Sequence, residues 1–140
     1  MFSFASILIQ YQSHEGHWVC LLKYNDGKTI EFFNSLGNDK HSNAGLPDAG
    51  LKDIDRFSNS RFSQDKPLIT RLLRTTRKDQ NVVYNDIPIQ GNTNCCGRFV
   101  IIRILAAAMG MDLDAFNEWM ESTCRRDKIT PDVLVCRLMR

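Results

Sequence analysis

Two adjacent cysteines, Cys95 and Cys96, stand in the segment "GNTNCCG", directly before the apolar run "RFVIIRILAAAMG". Turn formers followed by helix-compatible residues predict that both cysteines sit at a helix N-terminus. Such an end carries roughly half a positive charge and unpaired backbone amides. In general it favours a thiolate over a thiol, and its amides can receive an oxyanion. Gly97 would let a substrate backbone approach closely. A cysteine nucleophile needs a base, and the base needs a third group to orient it. The chain has three histidines. His41, in "NDKHSN", reads as a solvated loop residue. His14 and His17 flank the start of a predicted strand, and Trp18 would shield the imidazole at 17 and limit its motion. Asn34 lies near the end of the following predicted strand.

The elements that must position these residues are legible from pattern. "ILIQYQ" (7–12), "HWVCLLKY" (17–24) and "KTIEFFNSL" (28–36) read as strands. Asn25-Asp26-Gly27 is a tight-turn signal, so 17–36 is predicted as a β-hairpin. A pairing centred on that turn sets positions 17 and 34 near opposite each other, with Cβ atoms roughly 5 Å apart. Residues 37–50 read as a loop, and 51–77 as one or two short helices broken near Pro67. "VVYNDIPIQ" (82–90) reads as a strand with Pro88 at its edge or end. The central helix follows, with Phe99, Val100, Ile102, Leu105, Ala106 and Met109 as its expected buried face. A helix near 112–122 and a last one from Pro131, capped by Thr130, complete the chain. Phe116, Trp119, Leu134 and Leu138 are the expected packing partners. The fold class is α+β: a small, mostly antiparallel sheet packed against helices.

Composition narrows the classes. At 140 residues one domain, 1–140, is the expectation, with 37–80 as a variable insert or lid. The formal charge of +2 is too small to argue for nucleic acid or membrane. The basic groups at 71–78 and Arg125–Arg126 read as solvated faces. The longest apolar run carries Arg103 and is too short to span a bilayer. "MFSFASILIQYQ" lacks a positive leading segment and a small-residue cleavage site, so it is not read as a signal peptide. Five cysteines without framework spacing point to reduced thiols in an intracellular, non-secreted protein. Cys124 and Cys136 are read as core or surface thiols rather than a disulfide. A metal site from His14, His17, Cys95 and Cys96 is a rival reading, weakened because adjacent cysteines chelate one ion poorly and no Cys-x2-Cys is present.

"HWV", then "FFNSLG", then "IQGNTNCCGRFV" together resemble the adenain-like and SUMO-protease-like superfamily of cysteine proteases. That family reads His-Trp, then Asp or Asn in an aromatic-(D/N)-S-L segment, then Gln-x5-Cys-Gly. The resemblance covers about Gly16 to Leu105. It implies an adenain-like fold, a circularly rearranged papain-like arrangement, with Cys96 as nucleophile because Gly97 follows it and Gln90 precedes it by six positions. It implies His17 as general base and later acid, Asn34 as orienting residue and Gln90 as oxyanion-hole side chain with the Cys96 amide beside it. Trp18, Gly97 and Cys95 are then expected to line the substrate site, Trp18 as one wall of a narrow cleft. Many members carry Asp where this chain has Asn34, and often Asp where it has Cys95. Cys95 is read as inert, with a redox role as the alternative.

"CCGRFVIIR" looks more like proteases of DNA viruses and related mobile elements (adenovirus, asfarvirus, virophage and polinton types). The implied function is cleavage of capsid precursors or polyprotein at Gly-rich sites during virion maturation, in host cytoplasm, viral factory or virion. The alternatives are a deSUMOylase, deubiquitinase or effector isopeptidase, and an inactive protease-like binding module. No cofactor is expected from the residues. The resemblance leaves room for an activating peptide or DNA, since the adenovirus enzyme uses both.

Overall fold

The computed structural model describes residues 3–12, 15–37, 81–85 and 87–140. Strands β1 (Ser3–Gln12), β2 (Glu15–Lys23), β3 (Thr29–Phe33) and β4 (Asn81–Tyr84) precede helices α1 (Cys96–Ala108), α2 (Leu113–Asp127) and α3 (Pro131–Leu138). The strands form one sheet in the order β1-β2-β3-β4. β1–β2 and β2–β3 are antiparallel, and β3–β4 is parallel. The architecture is therefore α+β with a mixed sheet in which antiparallel pairs predominate. The loop and helices expected within 38–80, and His14 and His41, lie outside the described residues.

The β2–β3 hairpin turns where the sequence signals it. Gly27 takes a left-handed φ of 71°, and Asp26 Oδ1 accepts from the amides of Lys28 and Thr29, both at 2.8 Å. The register runs from Cys20 opposite Phe33 to Lys23 opposite Ile30. β3 is buried along its whole length, as expected for a strand covered on both faces. On one face Cys20, Leu22 and Phe33 meet Phe99, Val100, Ile102 and Ala106 of α1, Phe116 and Met120 of α2, and Leu134 and Val135 of α3. Phe33 and Phe116 pack edge to face with centroids 5.7 Å apart. On the other face Val19, Ile30 and Phe32 form a smaller cluster with Leu21, Val82 and Tyr84. Each fully buried Phe or Leu in these clusters contributes about 1.5–3 kcal/mol over its exposed state.

The face of α1 that meets the sheet is rotated from the expected one. Phe99, Val100, Ile102 and Ala106 are buried as predicted, but Leu105 is 51% and Met109 77% exposed. Arg103 turns inward instead and is fully buried. Its Nε and Nη2 donate to Glu31 Oε1 and Oε2 at 2.7 and 2.6 Å, and its Nη1 to the Met111 carbonyl at 3.1 Å. The Tyr24 hydroxyl donates to Glu31 Oε2 at 2.6 Å. Buried charges persist only when paired and hydrogen-bonded, so Glu31 on the sheet dictates which side of α1 faces it. Leu138 is likewise half exposed rather than packed, while Phe116 and Leu134 are buried and Trp119 lies partly buried against the core.

The strand expected over 82–90 stops at Tyr84. Asn85 leaves the ladder to bond elsewhere, and Pro88 has no amide to donate to it. α2 and α3 begin at side-chain caps, Asp112 accepting from the Ala115 amide and Thr130 from the Val133 amide. α2 runs further than expected, ending at Asp127 with Lys128 in the left-handed region.

Candidate active site

His17 is buried near the start of β2, and its Nε2 lies 2.8 Å from Asn34 Oδ1. The neighbours of Asn34 decide which atom donates. Asn34 Oδ1 also accepts from the Leu36 amide at 3.0 Å, and Asn34 Nδ2 donates to the Gly37 carbonyl at 3.3 Å. An amide N–H can only donate and a carbonyl can only accept, so the oxygen of Asn34 faces His17. Nε2 must then carry a hydrogen and donate it. In the neutral imidazole the lone pair consequently sits on Nδ1.

The expected pairing of 17 with 34 is corrected in register. Continued one step past its last pair, the β2–β3 ladder sets Asn34 opposite Val19, two residues from His17. A shift of two keeps both side chains on one face, and diagonal neighbours remain within reach. The contact is therefore made across the diagonal.

Asn34 is held by a residue the sequence reading passed over. Asn85, buried just past β4, accepts from the Asn34 amide at 2.8 Å, and its Nδ2 donates back to the Asn34 carbonyl and to the Ile87 carbonyl. The signal was available: Asn is depleted in strands, yet here it interrupted an apolar run read as one. Gly37 closes the same turn, its amide donating to the Asn34 carbonyl at 2.9 Å. Gly37 has φ 75°, and a Cβ there would stand 2.8 Å from the Pro88 nitrogen. That close approach and that φ both require glycine.

Ser35 links this turn to Gln90. Its carbonyl accepts from the amides of Ile89 and Gln90 at 3.0 and 2.9 Å. Its hydroxyl donates to Gln90 Oε1 at 2.6 Å, while Gln90 Nε2 donates to the Thr93 carbonyl at 2.6 Å. Because the Thr93 carbonyl can only accept, the nitrogen of Gln90 must face it. Asp132 at the start of α3 fixes the rest of the segment, accepting from the Gly91 amide at 2.9 Å and from the Thr93 hydroxyl.

Cys96 is the first residue of α1 and is buried. Cys95, the N-cap, makes no side-chain cap, and no acidic residue occupies the first turn. The other two helices have both. Gly97 packs against Trp18: a Cβ at 97 would lie 3.4 Å from Trp18 Cδ1. Trp18 follows His17 and Gly97 follows Cys96, so this contact sets the N-terminus of α1 beside the end of β2 that carries His17. Trp18 is 40% exposed. The Cys95 thiol is turned toward α3, its Sγ 3.4 Å from Cys136 Sγ. Burial pushes the Cys95 thiol up.

The cleft lined by Tyr24, Asp26, Gly110, Met111 and Asp112 lies at the opposite end of α1, away from these groups. Among the described residues no cluster of three or more His, Cys, Asp or Glu could hold a metal ion, and no helix is long and apolar enough to cross a membrane.

No family model matches the chain. It is 33% identical over 132 residues to "Uncharacterized protein V9" of Sputnik virophage, covering 92% of this chain and 69% of that protein. Among solved structures it is similar to the SUMO protease Ulp1 with its catalytic cysteine oxidised to a sulfonic acid, at 20% identity and TM-score 0.42. The sulfenic acid form gives 22% and 0.43. In both cases the match covers 81% of this chain but 44% of the other, so the chain spans less than half the length of those structures.

Proposed function

Taking as premise that the chain belongs to the same family as the Sputnik virophage protein V9, we propose that it is a cysteine peptidase acting through Cys96, His17 and Asn34. The observation that carries this reading is the His17 Nε2–Asn34 Oδ1 hydrogen bond of 2.8 Å. It leaves the imidazole lone pair on Nδ1, near the start of β2, where the Trp18–Gly97 contact also sets the cysteine-bearing start of α1. Asn34 fixes the tautomer without adding a charge of its own.

In this cycle the Cys96 sulfur attacks a peptide carbonyl while His17 holds the proton. The oxyanion is received by the Cys96 amide and by Gln90, whose Nε2 spends one of its two hydrogens on Thr93. His17 protonates the leaving amine, the C–N bond breaks, and water hydrolyses the thioester. Trp18, packed on Gly97, would wall the substrate site, and the motif resemblance favours substrates with glycine near the scissile bond. A virophage relative favours a viral protein as the substrate, and the motif resemblance favours precursor cleavage at Gly-rich sites during maturation. Release of a ubiquitin-like modifier is the second reading, favoured by the SUMO-protease-like motif of His17-Trp18, Asn34-Ser35-Leu36 and Cys96-Gly97.

The test is a panel of Gly-Gly-x and Gly-x-Gly peptides and a SUMO C-terminal fusion, incubated with wild type and Cys96→Ala in parallel. We expect cleavage of short sites that vanishes in Cys96→Ala and in His17→Ala. Gln90→Ala should lose on the order of 100-fold in kcat, as oxyanion donors do. Cleavage of the SUMO fusion alone would move the protein to the modifier branch. A wild type that neither cleaves nor labels at Cys96 with a peptide vinyl sulfone would refute the peptidase reading.

A further inference from the structure

We propose that Cys95 and Cys136 form a reversible oxidation site, a dithiol that closes to a disulfide on meeting a hydroperoxide. The two sulfurs lie 3.4 Å apart, and a covalent S–S bond measures about 2.05 Å. The remaining gap is within reach of side-chain rotation. Both thiols are partly exposed, whereas Cys20, Cys96 and Cys124 are buried. Arg98 Nη1 donates to Cys136 Sγ at 2.6 Å, placing a guanidinium where charge develops as that thiol loses its proton. The peptidase cycle uses neither sulfur, so the site stands whether or not the chain cleaves peptides.

The chemistry balances in two steps. The Cys136 sulfur attacks a peroxide oxygen, the O–O bond breaks, and a sulfenic acid forms with release of water or an alcohol. The Cys95 sulfur then attacks the sulfenic sulfur, the S–S bond forms, the S–O bond breaks, and hydroxide leaves with the Cys95 proton as water. Two thiols are oxidised and one peroxide is reduced.

The position gives the reaction a consequence. Asp132, four residues before Cys136 on α3, already holds Gly91 and Thr93. The disulfide would add a covalent tie at Cys95, fixing both ends of the segment between Gln90 and Cys96 to α3. It would close a loop with a sequence separation of 41, so the oxidised protein should gain on the order of 10 °C in Tm.

The folded full chain is exposed to a small excess of hydrogen peroxide, alkylated, and mapped by mass spectrometry without reduction. We expect a link between the peptides bearing Cys95 and Cys136 that dithiothreitol reverses. It should persist in Cys96→Ala, vanish in Cys95→Ser and in Cys136→Ser, and form about ten-fold more slowly in Arg98→Ala. Absence of the link in the wild type, its survival in Cys95→Ser, or irreversible oxidation of Cys136 in its place would overturn the proposal.

Discussion

Removing the Asn85 side chain tests whether the histidine's partner is held in place from behind. Asn85 accepts from the Asn34 amide and donates to the Asn34 and Ile87 carbonyls. In Asn85→Ala the Asn34 carbonyl keeps the Gly37 amide, but the buried Asn34 amide loses its acceptor. An orphaned buried donor costs about 1–3 kcal/mol, and each lost bond with a surviving partner about 1 kcal/mol. The total is about 2–4 kcal/mol, a large share of the 5–15 kcal/mol typical of a domain. In urea the midpoint should fall by roughly 1–3 M at unchanged slope. Asn85→Asp adds a signed control. One carboxylate oxygen can still accept from Asn34, but the other faces carbonyls and needs a proton to donate. The folded-state pKa of that carboxyl must therefore be raised. Its stabilising bond is fully present below the unfolded pKa and is lost as pH rises through the folded one, so this variant should gain stability in acid relative to neutral pH. The nitrogen NMR shifts of His17 report whether Nε2 keeps its hydrogen. An Asn85→Ala protein as stable as wild type, with His17 unchanged, would refute the reasoning.

Three further predictions rest on other observations. Arg103→Met should destabilise by about 3–5 kcal/mol, because Glu31 stays buried with a lost partner, and Arg103→Met with Glu31→Leu should recover most of that loss; calorimetric and denaturant midpoints of the single and double variants check it. Asp26 is held below its ordinary pKa by its bonds to the Thr29 hydroxyl and to the Thr29 and Lys28 amides. Its contribution is present above the unfolded carboxyl value and lost as pH falls through the lower folded one, so Asp26→Asn should flatten the acid limb of a stability–pH curve. Burial, with the Glu31 carboxylate adding to it, pushes the Cys20 thiol up to about 12. At pH 8 it should hold on the order of a thousand-fold less thiolate than an ordinary cysteine, and quantitative alkylation of the native protein should leave it unmodified while Cys95 and Cys136 react.

Much of this protein is written in local pattern. The hairpin follows from Asn25-Asp26-Gly27 between two apolar runs, and the last helix from Thr130-Pro131, because turns and caps depend on neighbours in sequence. The meeting of His17 with Asn34 was legible in the hairpin, and the place of Cys96 in the helix start, whereas Gln90 was named only by the motif resemblance. What tertiary structure decided depends on partners distant in the chain. Glu31 and Arg103 are 72 residues apart, and their pairing, absent from any periodicity count, turned Leu105 and Met109 outward. Asn85 left its strand for Asn34, 51 residues away, and so braces the residue that His17 bonds. Cys95 found Cys136 across 41 residues. Hydrophobic period reports which side of an element avoids water. It carries no information about which buried polar groups will satisfy one another, because that choice is made only when separate elements pack.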